Sequence, residues 1–321
     1  AIANYQGKDI PLSLAGSIAL NLSDETINLP ALTLGIAGEK ATIAATITQL
    51  RSGPAIDCSL SSSQLNIDPL LAIFAAGAPA QKAKKTDLNQ TINQVTASLP
   101  AKLQIKSHIE ISNLTCLGFT VNKLLLDCSL VDKNVTLKAK EIKIYNGQLT
   151  GVANINLRTP GLGYKGQFQL ADFNAAPFSN AVVETLLTKM PDYKDLTNKV
   201  FGQLNVDISF AGQGVNPPDI LKNTSASGHF SLRDGELKRL KIVAALADKL
   251  KTPALKQDFK VSELSSGFTY QNQQLNLNKL TLRDHDVNIF FSGAIDLANL
   301  KYVTGNRLIV KGSPSLTKDL A

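Results

Sequence analysis

Arg283, Asp284, His285 and Asp286 stand side by side in the stretch LTLRDHDVNIFFSGAIDL (280–297). A histidine between two carboxylates has the residue types that orient an imidazole for proton transfer or ligate a metal. The spacing argues otherwise. Members of a catalytic or metal constellation come from separate strands or loops, and four consecutive residues cannot converge on one point. Apolar alternation stops at Leu282 and resumes at Val287, which leaves the length and chemistry of a hairpin connection. Aspartate favours such connections through hydrogen bonds to nearby backbone, so the cluster reads as a turn. The remaining histidines, His108 and His229, lie inside alternating runs without a carboxylate pattern around them. GxSxG, HExxH and Walker A motifs are missing. The glycine-rich GLGYKG (161–166) lies between β runs and reads as a loop, lacking the helix N-terminus that would hold phosphate. No catalytic residue, metal or cofactor is expected, and a glycan hydrolase would need a pair of carboxylates that the sequence does not offer.

The elements around this turn are strands. Period-two alternation dominates, as in TINLPALTLGIAGEKATIAATI (26–47) and the run from Leu137 through Asn146-Gly147 to Leu157. Asn-Gly between alternating runs is a strong hairpin signal, and Asp234-Gly235 within GHFSLRDGELKRLKI (228–242) predicts another. Helical spacing is confined to three places: Leu88, Ile92, Val95 and Leu99 behind Thr86; Val183, Leu186, Leu187 and Met190 before Pro191; and Leu240, Val243, Leu246 and Leu250. The small, basic AGAPAQKAKKTD (76–87) reads as a linker. A strand carrying a glycine before its last apolar run recurs in GQLTGVANINL, GQLNVDISFAGQG and FFSGAIDLANL, which favours stacked hairpins. The fold class expected is mainly β: an elongated antiparallel meander of repeated hairpins curled into a groove, with a few short amphipathic helices at its ends or along it. The segments are 1–76 (N-terminal meander), 77–100 (linker and amphipathic helix) and 101–321 (C-terminal groove region).

Composition narrows the function. Hydrophobic residues make up 44% and tryptophan is absent, so aliphatic side chains carry the core. The net charge of +7 suggests an anionic partner, yet arginine stands at only six positions, and neither arginines nor aromatics cluster as nucleic-acid binding requires. Lysines on solvent-facing strand surfaces explain the charge, with weak attraction to anionic lipid headgroups as the other reading. Cys58, Cys116 and Cys128 lack zinc spacing; Cys116 and Cys128 could be bridged across a hairpin or simply buried. No apolar run reaches the roughly 20 residues that span a bilayer. The chain begins at Ala1, which fits a signal or anchor upstream.

Residues 202–300 resemble the C-terminal region of the AsmA family of bacterial envelope proteins. The resemblance is carried by GQLNVDISFAGQGVNPPDILKNTSASGHFSLRDGELKRLKI and SSGFTYQNQQLNLNKLTLRDHDVNIFFSGAIDLANLKY. Within them, Gly228–Leu237 matches a Gly-x-apolar hairpin with Asp-Gly, and Gly293–Leu297 a Gly-x-apolar-Asp-Leu strand. Residues 12–75 are similar to the family's upstream segment. The resemblance implies an inner-membrane anchor outside these residues and a β-rich domain in the periplasm. It also implies phospholipid as the partner, conducted between inner and outer membranes in support of outer-membrane biogenesis, with other envelope proteins as possible contacts. A non-enzymatic envelope scaffold with a filled core is the alternative.

The physics of such a surface is simple. A trough of aliphatic side chains stabilises an acyl chain by roughly 0.8 kcal/mol per buried methylene. By strand parity the lining candidates are Ile142, Ile144, Leu149, Ile155 and Leu157; Phe230, Leu232 and Leu237; Leu280 and Leu282; and Val287, Ile289, Phe291, Ile295 and Leu297. Alternation looks the same in a filled core and an open groove.

Overall fold

The structure, a computed structural model, describes residues 2–5, 8–69, 94, 96–116, 118–159, 161–185, 196–239, 258–284, 287–297, 301–303, 305 and 307–312. The chain is mainly β, and its strands pair in a mostly antiparallel way. They are β1 (Ile2–Tyr5), β2 (Lys8–Gly16), β3 (Ala19–Asn21), β4 (Thr26–Ile36), β5 (Glu39–Thr48), β6 (Ala55–Ser62), β7 (Leu65–Asn66), β8 (Gln104–Ile111), β9 (Leu114–Cys116), β10 (Phe119–Val131), β11 (Asn134–Ile144), β12 (Gly147–Asn156) and β13 (Gly163–Asn174). After helix α1 (Ala175–Thr185) come β14 (Val200–Gln213), helix α2 (Pro217–Asn223), β15 (Ser225–Leu237), β16 (Phe259–Gln271), β17 (Gln274–Arg283), β18 (Val287–Asp296), β19 (Lys301–Tyr302) and β20 (Arg307–Gly312). Two compact units result. Unit 1 comprises 1–144, 149–166 and 211–220; unit 2 comprises 145–148, 167–210 and 221–321.

One sequence device recurs in the strands. Apolar residues spaced i, i+2, i+5, i+7 change parity midway, and the ladder absorbs the extra residue as a bulge, so that one face stays apolar. Ile27, Leu29, Leu32 and Leu34 do this in β4, where the register with β5 shifts between Leu29 and Leu32. Leu137, Ala139, Ile142 and Ile144 do it in β11, opposite a shift between Leu125 and Leu126. Leu275, Leu277, Leu280 and Leu282 do it in β17, with a shift between Leu277 and Leu280.

The meander has an exception in unit 1, where β6 pairs with β8, and β7 with β9, in parallel. Parallel neighbours need a crossover connection. The chain between Asn66 and Gln104 makes that connection. Of the helical spacing at 86–99, Thr86, Leu88, Ile92 and Val95 lie outside the described residues.

Several turns fall where the alternation breaks. Ala37-Gly38, Asp132-Lys133, Tyr145-Asn146 and Asn272-Gln273 all have positive φ at both positions and join consecutive strands. Two successive left-handed residues match the right-handed twist of a hairpin. The turn foreseen at Asn146-Gly147 therefore sits one residue earlier, with Gly147 already in β12. Asp234-Gly235 is a correction of a different kind. β15 runs straight through it, holding register with β16 from Ala226↔Tyr270 to Leu237↔Phe259. Asp234 adopts φ 48, and a Cβ on Gly235 would meet the Phe201 carbonyl oxygen at 2.7 Å. The dipeptide serves a kink and a close backbone approach, so Leu232 and Leu237 enter one buried cluster although five residues apart.

GLGYKG is likewise only partly a loop, because β13 begins at Gly163. Helix α1 begins at Ala175, ahead of the helical spacing that starts at Val183, behind Asn174, whose Oδ1 accepts from the Ala176 N–H at 3.2 Å. Leu186, Leu187, Met190 and the helical spacing of 240–250 lie outside the described residues.

Unit 2 closes around a core of Ala175, Leu232, Leu237, Phe259, Val261, Leu282 and Ile289, each at most 9% exposed. Val200, Leu204, Leu264 and Leu308 pack against it.

Candidate functional site

The Arg283–Asp286 cluster lies at the end of a hairpin. β17 ends at Arg283, β18 begins at Val287, and the ladder closes with Arg283 opposite Asn288. Arg283 turns to Glu263 at 3.3 Å; His285 and Asp286 are outside the described residues. Among the described residues no three His, Cys, Asp or Glu side chains gather as metal ligands.

His108 does meet a carboxylate, contrary to its reading from sequence. Its Nδ1 lies 2.8 Å from Asp127 Oδ1, because β8 and β10 place the two residues directly opposite. Lys140 Nζ reaches the other oxygen at 2.6 Å. Hydrogen bonds from Lys140 first and His108 second hold the Asp127 carboxyl below its usual range. A nineteen-residue separation hides this pair from local inspection. Asp127 and His108 are open to solvent on the polar side of unit 1, and the trio neutralises charge on that face.

The opposite face of unit 1 carries the candidate site. Residues directly opposite across a ladder share a face, so the registers trace rows that run across the strands. Leu32, Ile43, Leu60, Ile109, Leu126 and Ala139 form one row through β4, β5, β6, β8, β10 and β11. Ile27, Ile47, Ile56, Ile105, Leu130 and Val135 form a second, which Leu20 of β3 extends. Between them runs Leu29, Ala45, Cys58, Ser107, Cys128 and Leu137. Adjacent rows lie two residues apart along the strands, roughly 6.6 Å, with one more residue at the β4 bulge between Leu29 and Leu32. The middle row is small at its centre and the flanking rows are large. Except for buried Ala139 and Leu130 and the exposed Leu20, these side chains are half-buried. The described residues cover them only in part, and none but Leu20 is fully open to solvent. A surface of this kind offers dispersion contacts and water exclusion to a linear hydrocarbon.

The chain matches no protein-family model, no curated protein and no solved structure.

The lining candidates divide between the units. Ile142 and Ile144 are half-buried on the aliphatic face of unit 1, Ile142 opposite Leu124 and Ile144 opposite the buried Val121. Leu149, Ile155 and Leu157 of unit 1 are half-buried. In unit 2, Leu232, Leu237, Leu282 and Ile289 are core, with Leu282 opposite both Leu264 and Ile289. Such side chains are spent on one another. Phe230, Leu280, Phe291, Ile295 and Leu297 are half-buried, with Leu280 opposite Phe291 and Ile295 opposite Leu275. Val287 starts β18, and its side chain is outside the described residues. Sequence reading passed over Ile105, Ile109 and Leu126; KLQIKSHIEI (102–111) alternates, with Ser107 as its one polar interruption, and pointed to Ile105 and Ile109.

Cys58, Cys116 and Cys128 are free and half-buried. Cys116 faces Phe119 across β9 and β10, whereas Cys128 stands far along β10 opposite Ser107. Cys58 and Cys128 flank Ser107 from either side. Burial pushes the Cys128 and Cys116 thiols up, with the Cys58 and Asp68 charges respectively adding to it. Thiols so placed stay protonated and behave as small apolar side chains.

Proposed function

We propose that this chain is a periplasmic, AsmA-like protein that holds phospholipid acyl chains on the aliphatic face of unit 1. In this reading it passes lipid between the inner and outer membranes. The observation that carries the proposal is the pair of aliphatic rows, Leu32 to Leu126 across five strands and Ile27 to Val135 across six, half-buried at every position but Leu130. The resemblance of residues 202–300 and 12–75 to that family supports it independently of the face. A mostly antiparallel sheet with one apolar side lets the headgroup stay in water while the tail lies across the strands, and no residue need react. Neighbouring strands stand about 4.8 Å apart, so five steps from β4 to β11 give roughly 24 Å of apolar track. Incubation of purified protein with phosphatidylglycerol vesicles, separation and native mass spectrometry tests the binding step. Retained lipid that is lost on Ile109→Asp supports the proposal, and lipid-free protein refutes it.

The closed core of unit 2 favours a second role for that unit alone. Leu232, Val261 and Phe259, each 2% exposed, are used up by one another, as befits a scaffold, although Phe230, Leu280, Phe291, Ile295 and Leu297 of the same unit stay half-buried.

A further inference from the structure

The middle row on the aliphatic face of unit 1 has a shape as well as a polarity. Ala45, Cys58, Ser107 and Cys128 occupy it on β5, β6, β8 and β10, each directly opposite the next. All four are half-buried. Two residues away along each of these strands, on either side, stands an isoleucine or a leucine. No register shift falls among the four strands there. Small side chains between tall ones make a furrow that crosses the strands, and Leu29 of β4 and Leu137 of β11 stand at its two ends.

Its dimensions decide what fits. The flanking rows stand roughly 13 Å apart, at about 3.3 Å per residue along a strand. A hydrocarbon chain takes contacts of roughly 3.5–4.0 Å on each side. One chain meets that requirement; a second beside it would need a third contact and leave nothing for the bulk of the flanking side chains. From β5 to β10 the furrow runs three strand steps, roughly 14 Å at about 4.8 Å each. Leucine at 58, 107 and 128 would bury more apolar surface but would fill the furrow. We infer that Cys58, Ser107 and Cys128 floor the seat of a single unbranched acyl chain laid across the strands, their small size selecting against branched hydrocarbon. This rests on the lipid-holding reading of unit 1 and deepens it. Thiols suit such a floor because they are small, polarizable and only weakly polar. The Cys58 thiol donates to the Lys106 carbonyl oxygen at 3.5 Å.

Size and polarity separate at Ser107. Ser107→Ala keeps the floor low and removes a hydroxyl that hydrocarbon would cover, so palmitate should bind at least as well as to the parent in equilibrium dialysis of the whole chain. Ser107→Leu makes the face more apolar but raises the floor. Its circular dichroism should match the parent, and palmitate should bind about tenfold or more weakly, as a methyl-sized misfit in an apolar site does. Phytanate, the methyl-branched counterpart, should bind the parent about tenfold more weakly than palmitate. A further measurement needs no variant: N-ethylmaleimide labelling of the native cysteines, read peptide by peptide by mass spectrometry. Palmitate should slow the labelling of Cys58 and Cys128 and leave that of Cys116, outside the row and opposite Phe119, as it was. Four results would each overturn the furrow while leaving lipid binding itself in place: undiminished binding by Ser107→Leu, equal binding of the two fatty acids, thiols indifferent to palmitate, or retention of phosphatidylglycerol without palmitate. Protein that binds neither palmitate nor phosphatidylglycerol overturns both the furrow and the reading beneath it.

Discussion

Replacing Leu232 and, separately, Leu126 by alanine should cost very different amounts, although both are leucines in strand interiors. The side chain of Leu232 is sealed at 2% exposure among Ala175, Leu237, Phe259, Val261, Leu282 and Ile289. Truncation removes three carbons, roughly 2.4 kcal/mol of transfer free energy at about 0.8 kcal/mol per methylene. The cavity left behind brings the total to about 3–5 kcal/mol. Leu126, in contrast, is only half-buried on the aliphatic face, opposite Ile109 and Ala139. Part of the same transfer term is already missing there, and solvent fills the space without a void, so the loss should be about 1 kcal/mol. Urea titration followed by far-UV circular dichroism measures both, with each midpoint change multiplied by the slope of the transition. Separate transitions for the two units would be assigned from which midpoint each variant moves. Comparable losses at the two positions would refute the distinction between a sealed core and an uncovered face.

Gly228→Ala places a Cβ on the Asp207 carbonyl oxygen and should destabilise by about 1–3 kcal/mol. Gly267→Ala has 3.8 Å to its nearest neighbour and should fall within about 0.5 kcal/mol of the parent by the same titration. Asp127 is held below its usual pKa by Lys140 and His108, so its contribution to stability is present above the ordinary carboxylate range and lost as pH falls through the folded value. Asp127→Asn should therefore flatten the acid limb of a urea-midpoint-against-pH curve, by a small amount given its exposure; an unchanged limb refutes the pairing. Glu141, lowered by Lys123 first and Lys143 second, should behave in the same direction in Glu141→Gln.

Much of the fold is written locally. The alternation of KLQIKSHIEI, the parity change in INLPALTL and LNLNKLTL, and the polar interruption before Val287 each correspond to a strand, a bulge and a hairpin. Where local reading failed, the physics was long-range. Asp234-Gly235 has the composition of a turn, but the Phe201 carbonyl, more than thirty residues away, needs the space that a Cβ on Gly235 would fill. Asp132-Lys133 and Asn272-Gln273 turn without glycine because the flanking ladders hold both residues at positive φ. The parallel pairing of β6 with β8 has no signature in either strand, since it depends on where the crossover returns the chain. The site divides in the same way. Parity showed which residues share a face, but what covers that face is a tertiary matter. Leu282 and Ile289 therefore looked equivalent to Ile142 and Ile144 until packing separated them.

The central claim is tested most directly by a photo-cross-linking amino acid at Ile109, in the middle of the row from Leu32 to Ala139, irradiated in the presence of phospholipid vesicles. Labelled lipid attached at 109, with none at a control position inside the Leu232 cluster, is the result expected of an open acyl-binding face. Cross-links from 109 to protein alone would contradict it.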